Sequence, residues 1–182
     1  TNINAFIGVN ISYALKRNML IYSQIVYDDH LKYGFQIGGK CYNLFNLKDF
    51  DLRLEYNESS NDMYSSTELR QNYINNNLPL SHPLGNGFKE ILLQVDYSFK
   101  GFGIHFQTQY YKAMVDSITN YSTIFQGEYS SSISKEKEVL SFYSKLFYRV
   151  NPANNLKVYF GAGLRTENKK QNVYFRFGIS TL

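Results

Sequence analysis

The sequence has few of the residues that build disulfide frameworks, metal centres or helical membrane spans. It contains a single cysteine, Cys41, which excludes an internal disulfide and any metal site made of several cysteines. Its 182 residues include three histidines, three prolines and no tryptophan. No apolar run approaches the roughly 20 residues that a membrane-spanning helix needs. This last absence excludes helical spans only.

The residues that carry chemistry show no spacing typical of a catalytic or metal site. The net charge is +4 and the 19 Lys and Arg residues are scattered, which argues against a nucleic-acid-binding surface. His30, His82 and His105 share no metal-ligand spacing, and no Ser/His/Asp spacing indicates a nucleophile. The segments "GFGIHF" and "GAGLRT" lack the helix that a phosphate-binding loop requires. We therefore predict no enzyme activity, no cofactor, no metal and no nucleic-acid partner.

Apolar and polar residues alternate along most of the chain, which is rich in Tyr and Phe (17 and 14). In "FGIHFQTQY", Phe102, Ile104 and Phe106 fall on one face, and His105 and Gln107 fall on the other. The segments "DFDLRLEYN", "LLQVDYSFK", "LKVYFGAGLR" and "VYFRFGIS" alternate in the same way. A period of two residues indicates β-strands with one apolar and one polar face.

This pattern predicts nine strands and no long helix. The predicted strands span residues 5–15, 19–28, 33–45, 49–58, 88–100, 102–114, 138–150, 155–166 and 172–182. Most are longer than the five or six residues typical of soluble strands. They are close to the 9–11 residues of a tilted strand that crosses a bilayer.

The predicted connections alternate between short turns and longer links. The short turns lie at 16–18, 46–48, 100–101 and 151–154, and the longer links at 29–32, 59–87, 115–137 and 167–171. Outer-membrane barrels have short periplasmic turns at one end and long external loops at the other. We therefore expect external loops at 59–87 and 115–137 within one domain, 1–182.

The predicted fold class is all-β: an antiparallel transmembrane barrel of the bacterial outer membrane, in contact with lipid. A soluble β-sandwich is the alternative, but many glycines on the polar face suit a crowded lumen better. These glycines are Gly8, Gly34, Gly38, Gly103, Gly161, Gly163 and Gly178. Single-chain bacterial barrels have an even number of strands. Nine strands therefore suggest the C-terminal part of a larger barrel, with an odd number of strands upstream.

Part of the sequence resembles a known family. "YGFQIGGKCYNLFNLKDFDLRLEYN", then "NNNLPLSHPLGNGFKEILLQVDYSFKGFGIHFQTQYYK" and "RVNPANNLKVYFGAGLR", resemble Bacteroidetes outer-membrane barrels grouped with the gliding-motility protein RemB and the capsule-assembly protein Wzi. The resemblance covers roughly residues 30–165, and its distinctive part is "PLSHPLGNGFKE" at 79–90. The chain departs from the usual barrel ending, because Arg176, Gly178 and Ser180 stand where apolar residues are expected.

The resemblance implies work at the cell surface, either in gliding motility or in assembly and attachment of surface polysaccharide. Two alternatives remain open: a solute pore, and an accessory subunit of another outer-membrane complex such as the type 9 secretion system. Conductance in planar bilayers distinguishes the pore, and co-purification in mild detergent reveals an accessory role.

The segment before the fifth predicted strand has the chemistry of a rigid bend. Pro79 and Pro83 restrict the backbone, and Gly85 and Gly87 permit positive φ. We predict a structural hook that leads from the external loop into the strand beginning at Phe88. Its leucines pack on the barrel rim or mouth.

The same segment is the candidate ligand site. His82, together with Asn75, Asn76, Asn77 and Asn86, offers a ring and several amides that suit a surface glycan. Packing of the loop is the alternative interpretation.

Charged residues within the strands are predicted to face the lumen, whereas Cys41 is predicted to face lipid and to be inert. The predicted lumen-facing charges are Arg53, Glu55, Glu90, Asp96, Arg149, Arg165 and Arg176.

Overall fold

The computed structural model describes residues 5–28, 32–61, 74–75, 78–79, 84, 87–117 and 133–181. The strands, in chain order, are β1 (Phe6–Lys16), β2 (Met19–Asp28), β3 (Tyr33–Cys41), β4 (Phe50–Ser59), β5 (Ile74–Asn75), β6 (Leu78–Pro79), β7 (Phe88–Phe99), β8 (Phe102–Ser117), β9 (Ile133–Asn151), β10 (Leu156–Glu167) and β11 (Lys170–Ser180). A short 3₁₀ turn at Leu44–Asn46 joins β3 to β4. No helix within these ranges has the length and apolar content that a membrane crossing requires.

The nine long strands form one antiparallel sheet in the order β1-β2-β3-β4-β7-β8-β9-β10-β11. Each long strand therefore pairs with the long strands that come before and after it in the chain. The short strands β5 and β6 pair only with each other. The predicted all-β, nine-stranded antiparallel architecture is confirmed. Within the part of the chain that is described, β1 and β11 each have a partner on one side only.

Three predicted connections differ from the structure. The turn predicted at 46–48 covers 42–49, because β3 ends at Cys41 and β4 begins at Phe50. The link at 167–171 is a two-residue turn, because Glu167 already pairs with Lys170. Asn168 and Lys169 both have positive φ, 46° and 71°, as a tight hairpin turn that matches strand twist requires. The loop predicted at 115–137 is also shorter, since β8 continues to Ser117 and β9 begins at Ile133. The charged segment "SKEKEVL" thus belongs to a strand.

The pairing register gives the sheet two chemically distinct faces, because cross-strand partners lie on the same face. The apolar face carries most of the large hydrophobic side chains. Its Ile11, Phe160 and Phe177 are 63%, 50% and 75% exposed. The polar face carries Glu55 and Glu90, each only 3% exposed. The buried residues Asn57, Ser59, Phe88, Tyr111, Ala113 and Val139 also lie on the polar face by the pairing register.

Aromatic rings lie over several glycines of the polar face. A Cβ atom on Gly38 would lie 2.6 Å from the ring of its cross-strand partner Tyr22. The Tyr174 ring likewise occupies the space next to its partner Gly163. Phe147 covers Gly103 in the same way. Ring-over-glycine packing of this kind helps to fix strand register, and it explains why this face is rich in both residue types.

This packing can be tested with a double-mutant cycle. Gly163→Ala should lower the free energy of unfolding by about 1–3 kcal/mol, since the added methyl group displaces the Tyr174 ring. In a Tyr174→Ala background the same change should have little effect. Gly39→Ala is the control, because the nearest atom to its added Cβ is the Leu20 carbonyl oxygen at 3.7 Å. Equal losses at Gly163 and Gly39 in urea titrations would contradict the ring-over-glycine account.

Candidate functional site on the polar face

A hydrogen-bonded network occupies the middle of the polar face across β2, β4, β7 and β8. The carboxylate of Glu55 accepts a hydrogen bond from the Tyr22 hydroxyl. It also accepts one from Arg53 Nε at 2.7 Å, and Arg53 Nη2 lies 2.5 Å from the same oxygen. Arg53 Nη1 in turn donates to Gln94 Oε1 at 3.3 Å. The buried charge of Glu55 is therefore compensated by a cation and by a hydroxyl.

A second buried carboxylate lies one row further along the face. Glu90 accepts a hydrogen bond from Asn57 Nδ2 at 2.8 Å and another from Gln109 Nε2. Two rows away, on the row of Arg53, Gln94 Nε2 donates to Gln107 Oε1 at 3.1 Å. These amides connect β4, β7 and β8 through side chains as well as through the backbone. A satisfied network of this kind makes this wall of the polar face rigid.

An apolar cluster lies on the polar face at its long-loop end. Its members are Phe88, Tyr111, Ala113 and Val139, and Leu84 packs against them. Leu84 belongs to the segment that the sequence predicts as a hook, so this part of the loop contacts the face that we interpret as the lumen. Sequence reasoning did not identify this cluster. The available signal was on the polar face of β8, where the side chains change from Gln107 and Gln109 to Tyr111 and Ala113.

The long-loop end also carries an ionic group next to the apolar cluster. Glu167 lies 2.8 Å from Lys137 Nζ and 3.2 Å from Arg165 Nη2. Arg165 also donates a hydrogen bond to the Tyr111 hydroxyl at 3.0 Å. Lys137 and Arg165 are therefore matched by the same carboxylate.

A third arrangement covers the polar face of β9, β10 and β11, where cations lie over aromatic rings. Lys145 lies 5.8 Å from the Tyr159 ring centre, and Lys157 lies 5.1 Å from that of Phe147. The Arg176 guanidinium is 5.4 Å from the Tyr174 ring centre and 5.6 Å from that of Tyr143. Cation–π attraction supports the position of each cation without neutralising its charge.

The residues predicted to face the lumen all lie on the polar face by the pairing register. His105 also lies there, with its Nδ1 atom 2.8 Å from Asp96 Oδ1. Cys41 lies on the apolar face, paired with Met19 and Leu52. In the described part of the chain, no three His, Cys, Asp or Glu side chains come together as metal ligands would.

Most of the predicted glycan site lies outside the described residues. This is true of His82, Asn76, Asn77 and Asn86, and of the hook residues Pro83 and Gly85. Asn75 and Pro79 belong to the short hairpin of β5 and β6. Gly87 has a φ of 63°, and its backbone N–H donates to the Ser60 carbonyl at 3.0 Å.

Comparison of the chain with family models, with curated proteins and with solved structures finds no match. The functional argument therefore depends on the two faces of the sheet and on their chemistry.

The buried network predicts unequal effects for two cations. Arg53→Met should lower the free energy of unfolding by about 2–4 kcal/mol, because it leaves the buried Glu55 carboxylate without its cation. Adding Glu55→Gln should recover part of this loss. Lys89→Met is the matched control: Lys89 is 66% exposed and lies 3.4 Å from Glu58, and such surface pairs contribute at most about 1 kcal/mol. Similar losses for the two single variants in urea titrations would show that Arg53 has no special role.

Proposed function

We propose that this chain forms part of a transmembrane β-barrel of the bacterial outer membrane. It acts without catalysis at the cell surface, in gliding motility or in assembly and attachment of surface polysaccharide. The membrane part of the proposal depends on one observation: large hydrophobic side chains are exposed on the apolar face, whereas the most buried side chains, among them Glu55 and Glu90, lie on the polar face. Phe175 and Ile179, for example, are 68% and 66% exposed. Contact of such a face with lipid is favourable, whereas its exposure to water costs free energy.

Aromatic residues lie near both ends of the apolar face, where outer-membrane barrels carry aromatic girdles, and Phe106, Phe142 and Phe175 lie between them. Near the short turns lie Tyr97, Phe99, Phe102 and Tyr148, and near the long loops lie Tyr33, Tyr56 and Tyr110. Phe102 and Tyr110 are eight residues apart on β8, which is about 27 Å along a strand. A strand tilt of about 40° reduces this to a height near 20 Å, comparable with the roughly 25 Å apolar band of such barrels.

A row of charged residues lies one row beyond Tyr56 and Tyr110 on the same face. Glu58, Lys89, Lys112 and Glu138 are successive cross-strand partners on β4, β7, β8 and β9. The hydroxyl of Tyr56 donates to Glu58 at 2.5 Å, and that of Tyr110 donates to Glu138 at 2.7 Å. Tyrosines with an apolar ring and a polar, hydrogen-bonded tip suit the boundary between lipid tails and headgroups.

The proposal requires partners for the outer edges of β1 and β11, because unpaired backbone groups cost several kcal/mol each in a bilayer. The two strands point in the same direction, since nine strands alternate between them. If β1 paired directly with β11, the two strands would therefore form a parallel pair. An odd number of further strands between the two edges allows every pair to be antiparallel.

Work at the cell surface is the more specific part of the proposal, and it rests on the resemblance at 79–90. The contact of Leu84 with the apolar cluster supports it, because one residue of that segment packs at the long-loop end of the sheet. A solute pore is the second candidate, favoured by the many charged side chains on the polar face. Conductance in planar bilayers separates the two, since only the pore passes current.

Lipid exposure of the apolar face can be tested on two neighbouring residues. Phe106→Arg should destabilise the barrel by about 2–4 kcal/mol if it lies near the membrane midplane. Gln107→Arg should cost about 1 kcal/mol, the value of its hydrogen bond with Gln94. The measurement is unfolding in lipid vesicles, followed by heat-dependent migration on gels, with outer-membrane fractionation of both variants. Equal losses would contradict membrane insertion through this face.

The cell-surface role is tested at the hook. His82→Ala should reduce attachment of surface polysaccharide or gliding in the native bacterium, while the amount of protein in the outer membrane stays the same. Ser81→Ala, one residue away, is the control and should have no effect. Unchanged attachment and motility in the His82→Ala strain would remove this histidine from the proposed function.

A further inference from the structure

Four cations lie close together on the polar face of β9, β10 and β11, near the short-turn end. Arg149 and Lys157 are direct cross-strand partners. Lys145 and Arg176 lie on either side of Gly161, which pairs with both. From the spacing of residues and strands, the group covers about 13 Å along the strands and about 10 Å across them.

None of the four has a carboxylate partner within 4.0 Å among the described residues. Three other cations of this face differ: Arg53 pairs with Glu55, and both Lys137 and Arg165 pair with Glu167. Lys40 and Lys170 also lie on this face without a carboxylate partner among the described residues, but they stand apart from the group. Gathering four like charges costs free energy that no ion pair offsets here. A bound anion would offset this repulsion, and the described residues do not supply one.

The Arg149 side chain adds an independent observation. Its Nε atom is buried and has no hydrogen-bond acceptor among the described residues. Buried polar atoms are nearly always satisfied, so an exception calls for an explanation. An acceptor that binds from outside the chain provides one, since a guanidinium fork matches carboxylate and phosphate oxygens.

The packing beneath the cations directs their charged ends away from the sheet. The Tyr159 ring lies over Gly178 and the Phe147 ring over Gly103. Lys145 lies over the first ring and Lys157 over the second. For these two lysines the layers from the backbone outward are glycine, ring and cation, so both charged groups lie on the outer side of the rings.

We propose that Lys145, Arg149, Lys157 and Arg176 form a binding site for an oxyanion, a carboxylate, sulfate or phosphate group. The oxyanion belongs either to an acidic polysaccharide or to a small free anion. A surface lined by one sign of charge concentrates such ligands. This binding site is independent of the proposed cell-surface role, because anion binding requires only that the sheet is folded.

The test is calorimetric titration of the purified protein in detergent micelles at constant ionic strength. The probes are inorganic phosphate, a polygalacturonate oligomer and a neutral dextran oligomer of similar length. We expect an anionic probe to bind and dextran not to bind. Lys145→Gln with Lys157→Gln should weaken the binding about tenfold or more, as expected for the loss of charge-assisted contacts. Binding of polygalacturonate alone identifies a glycan source, and binding of phosphate identifies a site open to small anions.

Lys48→Gln is the matched control, because Lys48 lies in a short turn at the same end of the sheet and loses the same charge. It should bind as the original protein does. Lys145→Arg with Lys157→Arg keeps the charge and should keep the binding, which gives a second readout if the Gln variants fail to fold. Absence of binding by both anionic probes, or an equal loss in the Lys48→Gln variant, would overturn the site. Neither result would bear on membrane insertion, which the unfolding and fractionation experiments measure separately.

Discussion

The antiparallel hydrogen-bond ladder from β1 to β11 is the constraint on which the rest of the structure depends. Because successive side chains of a strand point to opposite faces, a shift of one residue would exchange the two faces. The register keeps all nine strands in phase. Glu55 can therefore meet Tyr22 across two strand interfaces, and the apolar residues of every strand join into one continuous surface.

Crowding on the polar face follows from this register. Large rings such as Tyr22 and Tyr174 fit because a glycine stands directly opposite each of them. Polar groups that are pressed together in this way need partners, and in the middle of the sheet they have them: Glu55 and Glu90 are each held by two side chains. On β9 to β11, rings rather than carboxylates accompany the cations, as the Tyr22 ring accompanies Lys40 on β3. The same face thus combines a hydrogen-bonded region with a group of cations that have no carboxylate partner among the described residues.

Particular residues show how far the sequence could be interpreted without the structure. Alternation alone placed Phe106 and Gln107 on opposite faces, because a period of two is a local property of strands. It did not identify Asn168 and Lys169 as a two-residue turn, since the alternation on either side of them is weak. Nor did it reveal the apolar cluster at Val139, which forms from residues of three strands. Local pattern says which face a residue takes, but it does not say which residue on another strand lies opposite.

The sequence by itself determined the all-β class, the number of long strands and the chemical difference between the faces. These follow from the alternation of apolar and polar residues and from the turn residues between strands. Only the tertiary structure decided which charges are compensated. Arg53 finds Glu55 two residues away on its own strand, but its link to Gln94 requires pairing of β4 with β7. Lys145, Lys157 and Arg176 come together because the register brings three strands side by side. The energy of an electrostatic interaction depends on the distance between the charges, and the register of the strands determines that distance.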